Sequence, residues 1–301
     1  MTEDASAGDD GASLVGLLGA NLSHSKLPDS IAQAGLKLGR AIRCQRLDLN
    51  VIGGDTMRGL ERAKRIGLSA VAVTMPCKVE ARQACDEETA EVKAIGAVNC
   101  ITIVYTHCGG AAQTHVTGHN FDAIGSRLAI EERLCQSALP SATALLTGKS
   151  IHVLGAGGVG RAIVFTLSRL GAARVYLTDQ KQRAVRSLIE DMSCSLNLTT
   201  LLEAEDASAV AGVAGIVNAT PIGMAGGPES EQLPLPVGAL DAPSLEWVFD
   251  AVCYPPTTPF LHAAAQRGLK VVGGDRMNFF VRREIFCAMS GLSAHELRGF
   301  E

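Results

Sequence analysis

Residues Ser150 to Gly160 read Ser-Ile-His-Val-Leu-Gly-Ala-Gly-Gly-Val-Gly. An apolar strand enters a complete Gly-x-Gly-x-x-Gly turn, and apolar residues at helical spacing continue from Arg161 to Leu170. In such a turn the first glycine permits a tight bend, the second lets a pyrophosphate approach the backbone, and the third lets helix and strand pack closely. The turn therefore predicts a dinucleotide site at the N-terminus of a helix.

The next predicted strand supports this interpretation. Residues 174–178 read as that strand, and Asp179 follows it, about 20 residues beyond the turn, where an acid accepts hydrogen bonds from ribose hydroxyls. The alternative is a tight strand-to-helix turn that binds no ligand, and it leaves the position of Asp179 unexplained. A P-loop is excluded, because Thr143 stands where its first glycine should be and a strand follows Gly148-Lys149-Ser150.

The composition predicts a globular protein with two domains. The chain has 301 residues, of which 47% are hydrophobic and 19% charged, and its net charge is -4. The acidic balance argues against a nucleic-acid partner, and no apolar run approaches the roughly 18 residues of a membrane span. Nine scattered cysteines without a Cys-x-x-Cys pair favour free thiols in the cytoplasm, and we expect no metal site. Residues 1–13 are expected to form a disordered tail.

The pattern of predicted elements indicates an α/β fold with two domains. We assign residues 1–120, joined by 275–301, to an α/β substrate-binding and catalytic domain without a glycine fingerprint. Residues 121–274 are assigned to a Rossmann-type, doubly wound dinucleotide-binding domain, and the C-terminal helix is expected to return to the first domain. Predicted strands cover 14–19, 42–49, 70–74, 174–178, 215–218, 247–252 and 270–272, and 97–104 with 111–117 form a hairpin around Gly109-Gly110. Predicted helices cover 28–38, 56–66, 86–94, 121–134, 161–170 and 275–289, and 139–148 form a linker.

Seven motifs follow one another along the chain: Ser23 to Pro28, Val73 to Lys78, Gly96 to Asn99, Gly118 to Asp122, Asn218 to Met224, Thr258 to Leu261 and Gly274 to Met277. Together they resemble the shikimate/quinate dehydrogenase family over nearly the whole chain. Ala-Thr-Pro-Ile-Gly-Met and the late Asp-Arg-Met resemble its NAD-using quinate/shikimate branch more than the biosynthetic branch.

The resemblance implies reversible hydride transfer between NAD(P) and a ring hydroxyl of a cyclic hydroxy acid, with Lys78 and Asp122 as the proton-transfer pair. It places the substrate near Ser25, Leu27, Thr74, Asn99, Asn120, Phe121, Tyr254 and Val281. It places the cofactor near Gly155, Ala156, Gly157, Gly158, Val159, Gly160, Asp179, Arg183, Asn218, Ala219, Thr220, Met224, Val252, Gly274 and Met277. Asp179 and the lack of an Asn-Arg-Thr sequence favour NAD over NADP.

Four positions depart from the family pattern by replacing a polar residue with an apolar one. Leu27 stands for Ser or Thr, Ala72 for Asn, Phe121 for Thr and Val281 for Gln. Since the resemblance places all four around the substrate, we expect a pocket for a less hydroxylated ring. The alternative is that shikimate still binds through the remaining polar residues, only more weakly.

Two rival functions stay open at this point. One is a dinucleotide-binding protein that has lost turnover and serves a binding or regulatory role, although Lys78 and Asp122 are both present. The other is glutamyl-tRNA reductase, which needs a nucleophilic cysteine early in the chain and a basic surface for RNA. The acidic composition disfavours it. The expected partner is a small hydroaromatic molecule, and the expected assembly is a monomer or homodimer.

Overall fold

The computed structural model describes residues 12–108, 111–135, 145–193, 201–203, 212–293 and 297. Close contacts divide the chain into two units. The first unit comprises Met1–Lys93, Ala97–Phe121 and Arg282–Glu301, and the second comprises Ala94–Gly96 and Asp122–Val281. The division of substrate and cofactor functions between the two predicted domains stays a prediction. The predicted tail lies, up to residue 11, outside the described residues, as do Gly109-Gly110 and 136–144 of the predicted linker.

The first unit contains a mixed sheet flanked by helices. Its elements are β1 (Ser13–Gly19), α1 (Leu27–Lys37), β2 (Ile42–Asp48), α2 (Leu49–Ile52), α3 (Thr56–Arg65), β3 (Ala70–Val73), β4 (Glu87–Glu88), α4 (Ala90–Ile95), β5 (Cys100–Cys108) and β6 (Ala111–His119). The strands lie in the order β2-β1-β3-β5-β6-β4. Strand β1 is parallel to both of its neighbours, whereas β5 is antiparallel to β3 and to β6.

The local sequence explains where these elements begin. Pro28 lies in the first turn of α1, where its missing N–H is not needed. The Asp55 side chain caps α3 by accepting a hydrogen bond from the Arg58 amide at 2.9 Å. Strand β3 is buried along its whole length, as expected for a strand inside a sheet that is covered on both faces. A core around Leu18, Leu60 and Val71 joins the strands to α3.

The second unit contains a parallel sheet of the doubly wound type. Its elements are α5 (Asp122–Leu134), β7 (Ser150–Leu154), α6 (Gly158–Arg169), β8 (Arg174–Thr178), α7 (Gln182–Ser193), β9 (Leu201–Glu203), β10 (Gly215–Asn218), β11 (Trp247–Asp250), α8 (Pro259–Ala265), β12 (Lys270–Gly273) and α9 (Gly274–Ser290). The order is β12-β11-β10-β7-β8-β9, with every pair parallel. Residues of α9 from Arg282 onward belong to the first unit.

The α/β fold class and the Rossmann-type sheet are confirmed, but the helix predicted over 86–94 is wrong in its first half. Strand β4 occupies Glu87–Glu88 and pairs with β6, so α4 begins only at Ala90. The acidic residues at the start of the predicted helix have partners elsewhere in this unit. The Asp86 carboxylate accepts from the Val116 amide at 2.8 Å, and Glu88 forms a two-pronged contact with Arg82.

Smaller details also differ from the prediction. Strand β2 ends at Asp48, whose side chain caps the short helix α2 by accepting from the Asn50 amide at 3.0 Å. Strand β9 was not predicted from the sequence. Within the described ranges, no helix is long and apolar enough to cross a membrane.

Candidate active site

The glycine-rich turn joins β7 to α6 with very little space between its ends. Gly155 has a φ of +104°, which favours glycine, and a β-carbon on Gly160 would overlap the Gly155 carbonyl oxygen. Gly157 is different, because it is exposed and no heavy atom lies within 4 Å of the place of its missing β-carbon. The turn therefore leaves open space in front of the N-terminus of α6, as a pyrophosphate requires.

Asp179 lies directly beside this turn. One oxygen of its carboxylate accepts from the Ala156 amide at 2.7 Å, and the other accepts from the Lys181 amide at 2.7 Å. These bonds fix the carboxylate at the end of β8, where an acid can receive ribose hydroxyls. Arg183 is exposed in the first turn of α7.

The loop after β10 packs against the turn. A β-carbon on Gly155 would lie 2.9 Å from the Ala219 carbonyl oxygen and 3.1 Å from the Thr220 amide nitrogen. Asn218 fixes this loop, since its side-chain oxygen accepts from the Thr220 amide at 3.1 Å and from the Thr220 hydroxyl at 2.6 Å. Farther along the same loop, Met224 is half-buried.

The remaining predicted cofactor residues follow β11 and β12. Val252 is buried, and a β-carbon on Gly274 would overlap its carbonyl oxygen, so the starts of the Ala251 loop and of α9 touch. Met277 is also buried, on the first turns of α9, whereas Tyr254 is 63% exposed. The second unit thus brings the predicted cofactor loops to the carboxyl-terminal edge of its sheet, where ligands bind in folds of this type.

In the first unit, topology gathers the predicted substrate residues at one edge of the other sheet. The loops after β1 and β3 leave the carboxyl ends of two parallel strands. Because β5 runs antiparallel to β3, its start and the end of β6 lie at that same edge. Backbone hydrogen bonds confirm the convergence: the Ala20 amide donates to Met75, the Val98 amide to Lys78 and the Asn99 amide to His119. Residues at this edge are Ser25, Thr74, Lys78, Asn99, Asn120 and Phe121.

Asn99 carries an unusual buried side chain. It is 1% exposed, and its oxygen accepts from the Phe121 amide at 2.8 Å. Its amide nitrogen has no hydrogen-bond partner within the described part of the chain. Buried amide groups are nearly always paired, so this nitrogen is suited to a ligand oxygen. Asn120 is 5% exposed, and its side-chain amide donates to the Ala97 carbonyl at 2.9 Å.

The loop that contains Ser25 is held by residues of β2. The Arg46 guanidinium donates to the Ser25 carbonyl oxygen at 2.9 Å, and Asp48 accepts from the Leu22 amide at 2.6 Å. The Ser25 hydroxyl accepts from the Leu27 amide at 3.4 Å, and the Leu27 side chain is half-buried at the start of α1. The sequence interpretation did not include Arg46, whose role could have been suspected only from its place near the end of an edge strand.

The other three apolar replacements occupy different surroundings. The half-buried Phe121 ring stacks on His119, with ring centroids 5.6 Å apart and planes 11° apart. Ala72 is 2% exposed inside β3, and Val281 is 7% exposed on α9, with a side-chain methyl against Gly125 of α5. That all four line one substrate pocket stays a prediction.

Lys78 belongs to the first unit of the chain and Asp122 to the second. Lys78 is half-buried in the loop after β3, and its carbonyl oxygen accepts from the Val98 amide at 2.8 Å. Asp122 is 4% exposed and begins α5. A carboxylate in the first turn of a helix is stabilised by the helix dipole. The pairing of Lys78 with Asp122 stays a prediction.

Comparisons with known proteins point to one family. Residues 17–101 match the family model described as shikimate dehydrogenase substrate binding domain. The chain is 28% identical over 288 residues to a quinate/shikimate dehydrogenase (NAD(+)) from Corynebacterium glutamicum, covering 93% of each chain. It is 30% identical over 270 residues to a shikimate dehydrogenase (NADP(+)) from Symbiobacterium thermophilum, covering 88% of this chain and 84% of the other. The solved quinate dehydrogenase from Corynebacterium glutamicum in complex with NAD has a TM-score of 0.77 and 28% identity, with 96% and 98% coverage.

Two glycine substitutions should separate folding from cofactor binding. Gly160→Ala places a methyl group on the Gly155 carbonyl and should destabilise the protein by at least about 1–3 kcal/mol. Gly157→Ala meets no protein atom, so the melting temperature should hardly change. The same methyl group enters the open space and should weaken NAD binding about tenfold or more, which corresponds to about 1.4 kcal/mol.

Thermal unfolding and calorimetric titration with NAD measure the two effects. A Gly157→Ala protein that binds NAD as tightly as the unchanged protein would show that no pyrophosphate approaches this turn.

Proposed function

The chain belongs to the shikimate/quinate dehydrogenase family, and we propose that it oxidises a ring hydroxyl of a hydroaromatic acid to a ketone and reduces that ketone in the reverse direction. As a member of this family it is an NAD(P)-dependent oxidoreductase. The observation that carries the proposed substrate class is the edge of the first unit, where Lys78, Asn99 and Asn120 converge. The Asn99 amide nitrogen, for which the described ranges offer no hydrogen-bond partner, supports a hydroxyl-bearing ligand there.

In the proposed reaction, Lys78 and Asp122 share the substrate hydroxyl. Oxidation requires a group that accepts the proton of the hydroxyl while a hydride leaves the carbon that carries this hydroxyl. Lys78 carries out this proton transfer, and Asp122 orients the lysine and the hydroxyl. NAD(P), when bound, accepts or supplies the hydride. Asn99 and Asn120 orient neighbouring ring hydroxyls, and Ser25 and Thr74 hold the carboxylate and the hydroxyl beside it.

The pocket is proposed to select a ring with fewer hydroxyl groups than shikimate. Leu27 begins α1 two residues after Ser25, so an apolar side chain stands where the family pattern has a hydroxyl. The stacking of Phe121 on His119 supports a fixed aromatic surface next to Asn120 in the chain. Each missing neutral hydrogen bond should weaken the binding of a polar ring by about 0.5–1.5 kcal/mol.

The first test of this proposal concerns catalysis. Lys78→Ala should lower kcat by about 10²–10⁴, the range for losing a positioned proton-transfer group, and leave NAD affinity nearly unchanged. Asp122→Asn should also lower kcat. Initial rates of NAD reduction with the cyclic hydroxy acid that the unchanged protein oxidises fastest measure the effect, and Lys93→Ala, at an exposed lysine of α4, is the control. A Lys78→Ala protein that keeps most of its activity would overturn the assignment.

A second test concerns the preference for NAD, which we propose from Asp179. Its carboxylate is fixed by the Ala156 and Lys181 amides and should repel the 2′-phosphate of NADP. We expect kcat/KM with NAD to exceed that with NADP by about tenfold or more. Asp179→Ala should reduce this ratio, whereas Glu190→Ala, at an exposed acid of α7, should not. Equal kcat/KM with both cofactors in the unchanged protein contradicts the proposal.

A third test concerns the substrate pocket. The double substitution Leu27→Ser with Phe121→Thr should raise the rate of shikimate oxidation and lower activity on the native substrate, because specificity is a difference of transition-state affinities. Steady-state kinetics with shikimate, quinate and less hydroxylated cyclic acids give the comparison. If the unchanged protein already oxidises shikimate or quinate with kcat/KM of about 10⁴ M⁻¹s⁻¹ or above, the pocket has not been re-specified.

A further inference from the structure

One buried carboxylate joins the loops that follow β10 and β11. Asp250, the last residue of β11, is fully buried. One of its oxygens accepts from the Asn218 side-chain amide at 3.0 Å and from the Val252 amide at 3.0 Å. The other accepts from the Thr258 hydroxyl at 2.5 Å. Its three donors thus come from the end of β10, from the loop after β11 and from the residue that precedes α8.

Two of these donor residues, Asn218 and Thr258, form further hydrogen bonds within the loops. The Asn218 amide also donates to the Ile222 carbonyl oxygen at 3.0 Å, while its oxygen accepts from the amide and hydroxyl of Thr220. Thr258 caps α8 by accepting from the Leu261 amide at 3.2 Å. Through these bonds Asp250 fixes the conformation of the Asn218–Met224 loop and of the Ala251–Thr258 loop together.

The strand order places both loops under one half of the dinucleotide. The pyrophosphate is proposed to lie at the turn between β7 and α6, and the adenosine ribose at Asp179, after β8. Since β10 and β11 lie on the other side of β7 in the sheet, the remaining half of the ligand must extend over their carboxyl ends. That half carries the nicotinamide riboside.

We propose that Asp250 is a positioning residue for the nicotinamide half of the bound dinucleotide. It holds the loops after β10 and β11 in the arrangement that receives the nicotinamide riboside, and it does not touch the cofactor itself. The inference rests on the proposed dinucleotide site. Asp250 was not recognised from the sequence, although an acid that ends the apolar run Trp247-Val248-Phe249 is a visible signal.

The ionisation of Asp250 is coupled to this arrangement. Burial raises the pKa of the Asp250 carboxyl to about 6, while the hydrogen bonds from Thr258, Val252 and Asn218 act in the opposite direction. The three donors are uncharged groups. The charged form of the Asp250 carboxylate therefore depends on the loops that it organises. A change in the carboxylate or in one of the two loops should disturb the other.

A comparison of NAD with ADP tests the proposal, because ADP contains the adenosine and the pyrophosphate but lacks the whole nicotinamide riboside. Asp250→Ala removes the common acceptor and should weaken NAD binding about 10- to 100-fold, as expected when hydrogen bonds to a buried charge are lost. The affinity of this variant for ADP should stay close to that of the unchanged protein, because the glycine-rich turn and Asp179 are not altered. Calorimetric titration of the full chain with each ligand measures both.

Asp250→Asn provides the conservative variant. The asparagine oxygen can still accept from Asn218 and Val252, and its amide can donate to the Thr258 hydroxyl, so it should recover most of the NAD affinity. Asp241→Ala, which removes an exposed ion pair with Arg267 in the same unit, is the matched control and should change neither affinity.

The outcomes are distinguishable. Equal weakening of NAD and ADP binding by Asp250→Ala, no weakening of either, or an asparagine variant no better than alanine would overturn the positioning role. If the alanine variant does not fold, Thr258→Val removes one of the three hydrogen bonds and should still weaken NAD binding selectively. A Thr258→Val protein without this selective loss would contradict the proposal. If the unchanged protein binds neither ligand, the dinucleotide site itself is wrong.

Discussion

The close approach of Gly160 to the carbonyl oxygen of Gly155 is the constraint on which the second unit depends. Because neither residue has a side chain, α6 starts directly against the end of β7, and the amides of its first turn face open space at Gly157. The same glycine, Gly155, lets the Ala219 loop pack against the turn. Residues that are proposed to bind the cofactor and are far apart in the sequence thereby reach one edge of one sheet.

In the first unit, a reversal of strand direction likewise brings residues that are far apart in the sequence to one edge of the sheet. The loops after β1 and β3 leave carboxyl ends, and the antiparallel pair β5 and β6 returns Asn99 and Asn120 to that edge. Hydrogen bonds then lock the groups together, with Phe121 donating to Asn99 and Asn120 donating to Ala97. Asn99 and Asn120 each bind a backbone group, and the Asn99 amide nitrogen has no hydrogen-bond partner within the described residues, so it is available for a ligand.

Local signals predicted the fold where one physical cause dominated. The glycine turn, the apolar strands and Pro28 each had a single interpretation, and the structure agrees with it. Prediction failed where tertiary contacts decided the outcome: the helix predicted over 86–94 begins only at Ala90, and Asp86 and Glu88 bind Val116 and Arg82 at the sheet edge. The hydrogen-bond partners of Asp250 and the stacking of Phe121 on His119 could not be read from the sequence, because they depend on which strands become neighbours.

The central claim is that this chain couples a nicotinamide cofactor to the oxidation of a hydroaromatic acid. The most direct measurement is the absorbance of reduced cofactor after the purified protein is mixed with NAD or NADP and a panel of hydroaromatic acids and alcohols. We expect reduced cofactor with at least one cyclic hydroxy acid, formed faster from NAD than from NADP. If the protein binds the cofactor but reduces it with no compound of the panel, it is a binding protein and not an enzyme.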